Sequence, residues 1–375
     1  MFLSRALRLC AEFSRNCRYY GLLYASCVFA RFLASFFLRH IVRRQPFSKI
    51  QAESIPPLPA EWRETVPDTR YVERQAASVP QGRQLVFYIH LIVSLGDIIA
   101  CEPVVRYLKM RWRYAKVFWI VKENYASVLT YNPFIDKVIT VQNLAESSAL
   151  LASLDVAEGQ VGVDLHFNNL RCTDTGFIHH NGINPFITFN TYLYYGNLLE
   201  SFCLCAGMEK LDLPPAFYLS PLLSFPENLP QNYVVFHCKS NMRIKDWTAR
   251  KWNALAKKLL RRGCTIVELG SERIIRSKEA HYVDCTSVRD LQLIALIISR
   301  AQAFVGIDSG FAHIANCFGI KSVLIFGIYH HYTDYRIYSG NFASCKDCRI
   351  VFDHRYGSFH VKVRDVEKAF LSLGV

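Results

Sequence analysis

Asp308, Ser309 and Gly310, followed three residues later by His313, gather groups suited to holding an anion. The surrounding stretch, Ala303 to Gly327, reads as strand, turn, helix, strand. Phe304 to Ile307 is short and apolar, Phe311 to Phe318 has helical apolar spacing, and Lys321 to Phe326 is again a buried-strand pattern. Asp308, Ser309 and Gly310 therefore belong at the C-terminal end of a strand, the edge of an open parallel sheet where ligands bind. The helix start just beyond offers unpaired amides and a positive dipole end to a phosphate. Gly310 lets the backbone come close, Ser309 adds a hydroxyl, and His313 adds a ring donor. The same residues also fit an ordinary βα turn capped by Asp or Ser.

Two other places carry chemistry-bearing side chains at similar turns. Ser94, Leu95, Gly96 and Asp97 follow an apolar strand pattern, and Asp97 begins a helix whose dipole favours a carboxylate there. After the strand pattern Tyr233 to His237 comes a loop with Ser240, Asn241 and Lys245. Thr248 then caps a helix with Trp252, Leu255 and Leu259 on one face. Such a loop lysine is also what an ordinary solvated surface would show.

The elements that must position these residues alternate strand and helix from Leu85 to Val141 and again from Tyr233 onward, the pattern of parallel α/β sheets. A chain of 375 residues is long for one core. The reading is two domains, residues 85–228 and 229–375, with a polar hinge around Asn228 to Gln231. Residues 46–84, with Pro56, Pro57 and Pro59 close together, read as a linker.

Net charge is +13, and residues 1–50 hold nine Lys or Arg against Glu12. These charges are interleaved with Phe, Leu and Tyr, which suits an anionic membrane surface; no nucleic-acid module is visible. Tyr19 to Leu38 is long enough to cross a bilayer, but Arg31 interrupts it, at roughly 2.5–3.5 kcal/mol on insertion scales. Residues 1–45 are therefore read as a basic amphipathic segment lying in the membrane plane. A spanning helix and a hairpin packed on the body remain alternatives. The 13 cysteines are odd in number and sit mostly in apolar runs, which implies reduced thiols in a cytosolic protein. Cys345 and Cys348 have CxxC spacing with no second pair; His354 and His360 are the candidates to complete a zinc site.

The stretch ending Asp308-Ser309-Gly310-x-x-His313, then Gly319, Phe326 and Gly327, resembles the donor-site signature of glycosyltransferase family 9, the ADP-heptose:lipopolysaccharide heptosyltransferases. Further family motifs follow in order. Ser94, Gly96, Asp97 and Pro103 match the opening motif, and Asn132, Pro133, Ile135 and Asp136 a strand entry. Asp164, Leu165 and Arg171 stand at the next family strand, and the aromatic, His-rich stretch Gly176 to Gly207 falls on the acceptor side. Lys245, Trp247 and Trp252 match a second-domain motif, with Ser240 and Asn241 standing in for a Thr pair, and Asp365, Val366 and Ala369 fit the closing helix. The family's basic residue in the first strand is replaced near His90. Ile328 to Arg336 keeps Thr333 and Asp334 but loses the family's prolines and gains Tyr and His.

The resemblance implies an α/β GT-B fold, two Rossmann-like domains facing across a cleft, here with an N-terminal basic hydrophobic helical extension. It implies inverting transfer of heptose from ADP-heptose to the inner core of lipopolysaccharide. Asp97 would be the catalytic base. Ser240, Asn241, Lys245, Asp308, Ser309, Gly310 and His313 would bind the donor diphosphate, and Glu272, after Gly270 and Ser271, the nucleoside through its ribose hydroxyls. Helix amides and lysine would do what Mg²⁺ does elsewhere, so no cofactor is required and no divalent metal is implied. The expected partners are the nucleotide sugar, a lipid A-linked core oligosaccharide and the inner membrane surface, placing the protein on the cytoplasmic face. The alternatives are another nucleotide sugar serving a cell-surface glycan, or a non-catalytic membrane-bound scaffold of the same fold.

Overall fold

A computed structural model describes residues 66–375, apart from 173, 174, 331, 345 and 356. The basic segment 1–45, the linker prolines Pro56, Pro57 and Pro59, and Cys345 lie outside the described residues. Among the described residues, no helix is long and apolar enough to cross a membrane.

The first half runs α1 (Tyr71–Ala77), β1 (Val86–His90), α2 (Leu95–Ala100), α3 (Pro103–Arg111), β2 (Lys116–Lys122), β3 (Lys137–Val141), α4 (Leu144–Ala152) and β4 (Gln160–Asp164). Its four strands form one parallel sheet in the order β3-β2-β1-β4. Phe87, Ile89, Val117, Trp119, Val121, Val161 and Val163 alternate along the strands into a single core. Helix starts carry their sequence signals: Pro103 opens α3, and Asn143 caps α4 by accepting from the amides of Ala145 and Glu146.

The linker expectation fails for the later part of residues 46–84. There α1 packs on the first lobe, with Val72 and Ala76, four residues apart on one face, buried in its core. Its entry is fixed by Tyr71 N–H donating to Gly207 O and Asp68 N–H donating to Asn184 Oδ1.

The second half follows α5 (Leu198–Cys205) with β5 (Val234–His237), α6 (Ala249–Leu260), β6 (Ile266–Leu269), β7 (Tyr282–Asp284) and α7 (Leu291–Ser299). Then come β8 (Ala303–Ile307), α8 (Gly310–Cys317), β9 (Ser322–Gly327), β10 (Cys348–Asp353) and α9 (Val363–Leu371). The sheet is parallel, six-stranded and ordered β10-β9-β8-β5-β6-β7. Thr248 caps α6 as its sequence predicts, and Trp252, Leu255 and Leu259 are buried on one face, with Val366 and Phe370 of α9 in the same cluster.

Two buried polar side chains tie the lobes to the segment joining them. Glu102 accepts from Arg106, from Asn132 Nδ2 and from the amide of Ala216. Gln292, at the start of α7, donates to Ser127 O of the first lobe and accepts from the amide of Ser220. A buried carboxylate or amide stays satisfied only while such partners hold, so these bonds fix how the halves meet.

Candidate active site

The strand ends of both sheets point into one cleft, where α2 and α8 approach each other with their N-terminal turns. Two glycines make this approach possible. A Cβ on Gly310 would stand 2.6 Å from Leu95 Cγ and Cδ2, and one on Gly96 would stand 2.9 Å from His313 Cδ2. Ser94, Asp97, Lys245, Asp308, Ser309, Gly310 and His313 line the resulting cavity of about 210 Å³.

Asp97 occupies the third position of α2. Ser94 donates to Asp97 Oδ2 through both its amide, 3.2 Å, and its hydroxyl, 3.1 Å, a capping arrangement that fixes the carboxylate. Burial pushes the Asp97 carboxyl up to about 6 and Asp308 adds to the rise, against the Ser94 bonds and the charge of Lys245. A carboxylate tuned toward neutral pH is a competent proton acceptor.

Opposite it, Lys245 Nζ lies 2.5 Å from Asp308 Oδ2 and 4.4 Å from the centre of the Tyr329 ring. Ser309 Oγ and His313 Nδ1 are buried without a partner among the described residues. Burial holds the His313 imidazole down at about 4, so it is neutral at pH 7. Buried polar atoms without partners are uncommon in a finished protein, and these two face a cavity at a helix N-terminus.

Of the nine expected site residues, Asp97, Lys245, Asp308, Ser309, Gly310 and His313 share the cavity, whereas Ser240, Asn241 and Glu272 do not line it. Asp246 explains the first of these. Its Oδ1 accepts from the amide of Ser240 at 2.9 Å, and Ser240 Oγ lies 3.1 Å from the same oxygen and 2.9 Å from Met242 O, so the hydroxyl turns into its own loop. Asn241 is exposed, and Glu272 is an exposed carboxylate paired with Lys239.

Sequence reasoning marked the aromatic stretches on both sides of the cleft without assigning residues. Phe189 and Tyr192 of the first lobe and Tyr329 and Tyr335 of the second line the cavity. Tyr332 O–H donates to Phe189 O across the halves at 3.3 Å, so the Tyr- and His-bearing loop 328–336 forms one aromatic wall with residues 186–195. Beside the cavity lies a second group that the sequence did not disclose: His90, Asp164, His166 and His179, all buried, with ligand-capable atoms within 4.8 Å of one another.

Residues 197–342 match the model of glycosyltransferase family 9 (heptosyltransferase). By sequence, no curated protein matches the chain. Solved structures are similar to it, among them these three. The glycosyl transferase family 9 protein from Veillonella parvula DSM 2008 is 15% identical with a TM-score of 0.58, covering 79% of this chain and 98% of that one. E. coli heptosyltransferase WaaC with ADP is 16% identical with a TM-score of 0.53, covering 77% and 100%. E. coli ADP-heptose lps heptosyltransferase II is 14% identical with a TM-score of 0.52, covering 77% and 98%. At these identities the likeness is one of fold, the GT-B architecture of two facing α/β lobes.

Proposed function

We propose that this chain, a glycosyltransferase with a family 9 domain at residues 197–342, transfers heptose from ADP-heptose to the inner core of lipopolysaccharide with inversion at the anomeric carbon. One observation carries the reading: a carboxylate raised to about 6 faces a helix N-terminus and a lysine across a single cavity.

In this reaction Asp97 takes the proton of the acceptor hydroxyl as its oxygen attacks the anomeric carbon, and the bond to the diphosphate breaks. The departing diphosphate meets the amides at the start of α8, with Ser309 Oγ, the neutral His313 ring and Lys245 as further donors. Asp308 holds Lys245 in place until the diphosphate arrives. Ser240 and Asn241 reach the donor only if their loop turns over, and Glu272 only if it leaves Lys239. Lysine and helix amides supply the charge that the leaving group needs, so the transfer step itself calls for no metal at this cavity. The names of two similar structures, WaaC with ADP and an ADP-heptose heptosyltransferase, support the donor assignment.

A second reading, a different nucleotide sugar, is favoured by the altered loop 328–336, which places Tyr329 and Tyr335 in the cavity wall. The test is release of nucleoside diphosphate by the full-length protein with a heptose-deficient lipid acceptor. ADP-heptose is expected to be consumed. Turnover of another nucleotide sugar and none of ADP-heptose would overturn the donor assignment, and no turnover of any donor would favour the membrane-bound scaffold. The membrane-facing and cytoplasmic placement is part of the same proposal and rests on the basic segment 1–45.

A further inference from the structure

We propose that His90, His179 and Asp164 form a binding site for one divalent transition-metal ion in the first lobe, beside the transfer cavity and separate from the donor-binding groups. His90 and Asp164 are the last residues of β1 and β4, and the parallel register sets them directly opposite each other. His179 arrives from a short hairpin that pairs Ile178–His179 with Leu170–Arg171. His90 Nδ1 lies 2.9 Å from Asp164 Oδ1, and His179 Nε2 lies 2.7 Å from Asp164 Oδ2.

The shell around these atoms decides which protons they carry. Ser147 Oγ lies 3.0 Å from Leu144 O, which can only accept, and 2.8 Å from His90 Nε2. A hydroxyl has one proton, so both contacts are satisfied together when Ser147 donates to Leu144 O and accepts from His90 Nε2–H. A neutral His90 then presents the lone pair of Nδ1 to a carboxylate oxygen. Lone pair facing lone pair needs a cation between them. Ser148 Oγ stands 2.9 Å from His179 Nδ1, positioned to accept in the same way and leave Nε2 free to bind. Second-shell hydroxyls on the far nitrogens are how ligating histidines are commonly fixed.

His166 stays outside the ligand set. Its Nε2 accepts from the amide of Ile92 at 3.2 Å, so its Nδ1 carries the hydrogen and faces Asp164 Oδ1 at 3.4 Å, orienting the carboxylate. Two imidazoles and one carboxylate suit zinc or ferrous iron better than magnesium or calcium, which prefer all-oxygen shells. A neighbouring cavity of about 250 Å³, lined by Asp164, His180, Asn181 and Gly182, gives room for water in the remaining coordination position. The ion would pin three separate segments, two of which are joined by residues 166–170, whose His166, Phe167 and Leu170 line the transfer cavity.

Untagged full-length protein, purified without chelators, is expected to hold about one equivalent of zinc or iron by elemental analysis. After chelation it is expected to take up one equivalent of Co²⁺, with visible ligand-field bands and no sulfur-to-cobalt charge-transfer band, which separates this site from any site at Cys345 and Cys348. Asp164→Asn should lose this binding. Ser147→Ala, a milder change that keeps the ligands, should weaken it about 10- to 100-fold. Wild-type protein that neither retains a metal nor binds Co²⁺ overturns the proposal and leaves a proton on His90 as the cation. A thiolate spectrum, or Co²⁺ binding unaltered by both variants, overturns it equally.

Discussion

Asp97 carries a charge that its surroundings resist. Because the carboxyl is raised from 3.8 to about 6 in the folded protein, protons bind the native state more tightly than the unfolded one between those values. Stability is therefore lost as pH rises through that window, and the loss persists above it. Asp97→Asn removes the charge, so the variant is expected to be more stable than the parent at pH 8, by up to about 2–3 kcal/mol in chemical denaturation. The same substitution removes the proposed base. Transfer should fall by about 10² to 10⁴ with donor affinity little changed, read by single-turnover transfer and donor titration. Loss of donor binding with the chemical rate kept would make Asp97 a helix cap and nothing more. In the parent, kcat/KM should decline below about pH 6, where the carboxylate is protonated; in the variant this acid limb should vanish.

Lys245 should give a different signature. In the proposed reaction it faces the diphosphate in ground and transition states alike, so Lys245→Ala is expected to weaken donor binding and slow turnover together, by a few kcal/mol in sum. That both residues reach the cavity was legible because each lies in a short local motif just after a strand. The histidine cluster was not: His90 and Asp164 are 74 residues apart, and only the register of β1 against β4 brings them together. No spacing rule encodes such a pairing.

At the scale of elements, apolar periodicity placed β8, α8 and β9 within a residue or two of their observed bounds. The cap at Thr248 and the buried face of α6 followed from their sequence as well. Helix α1 escaped notice because seven residues offer only Val72 and Ala76 as an apolar pair, beside a proline cluster that reads as linker; its contacts with Gly207 and Asn184 are tertiary. The approach of α2 to α8 yields its own test. Gly310→Ala forces a methyl against Leu95, at a cost of about 1–3 kcal/mol for overpacking, and should lower the melting temperature and donor affinity. Adding Leu95→Ala should recover part of that loss, because it removes the Cγ and Cδ2 contacts and leaves only Cβ, 2.9 Å away.

For the whole molecule, the proposed membrane segment, residues 1–45, ends well before α1. Removing residues 1–65 is expected to release the protein from anionic vesicles at low salt while leaving transfer to a short soluble acceptor intact. Removing residues 1–84 also strips Val72 and Ala76 from the core and should destabilise the remainder by several kcal/mol in denaturant titration. Equal stability of the two truncations would show that α1 is dispensable.

The meeting of the lobes at Gly96 and Gly310 also bears on waste. The burial that raises Asp97 comes in part from the second lobe, since the His313 ring packs over Gly96 and Gly310 sits against Leu95 at the start of α2. If the lobes part, water returns to the carboxylate and its affinity for protons drops toward that of an ordinary aspartate. As the proposed base, Asp97 would then be at its strongest when the cleft is shut around both substrates and at its weakest when bulk water has access to the donor. In the proposed reaction, idle hydrolysis of the nucleotide sugar would be held back by the timing of that one charge.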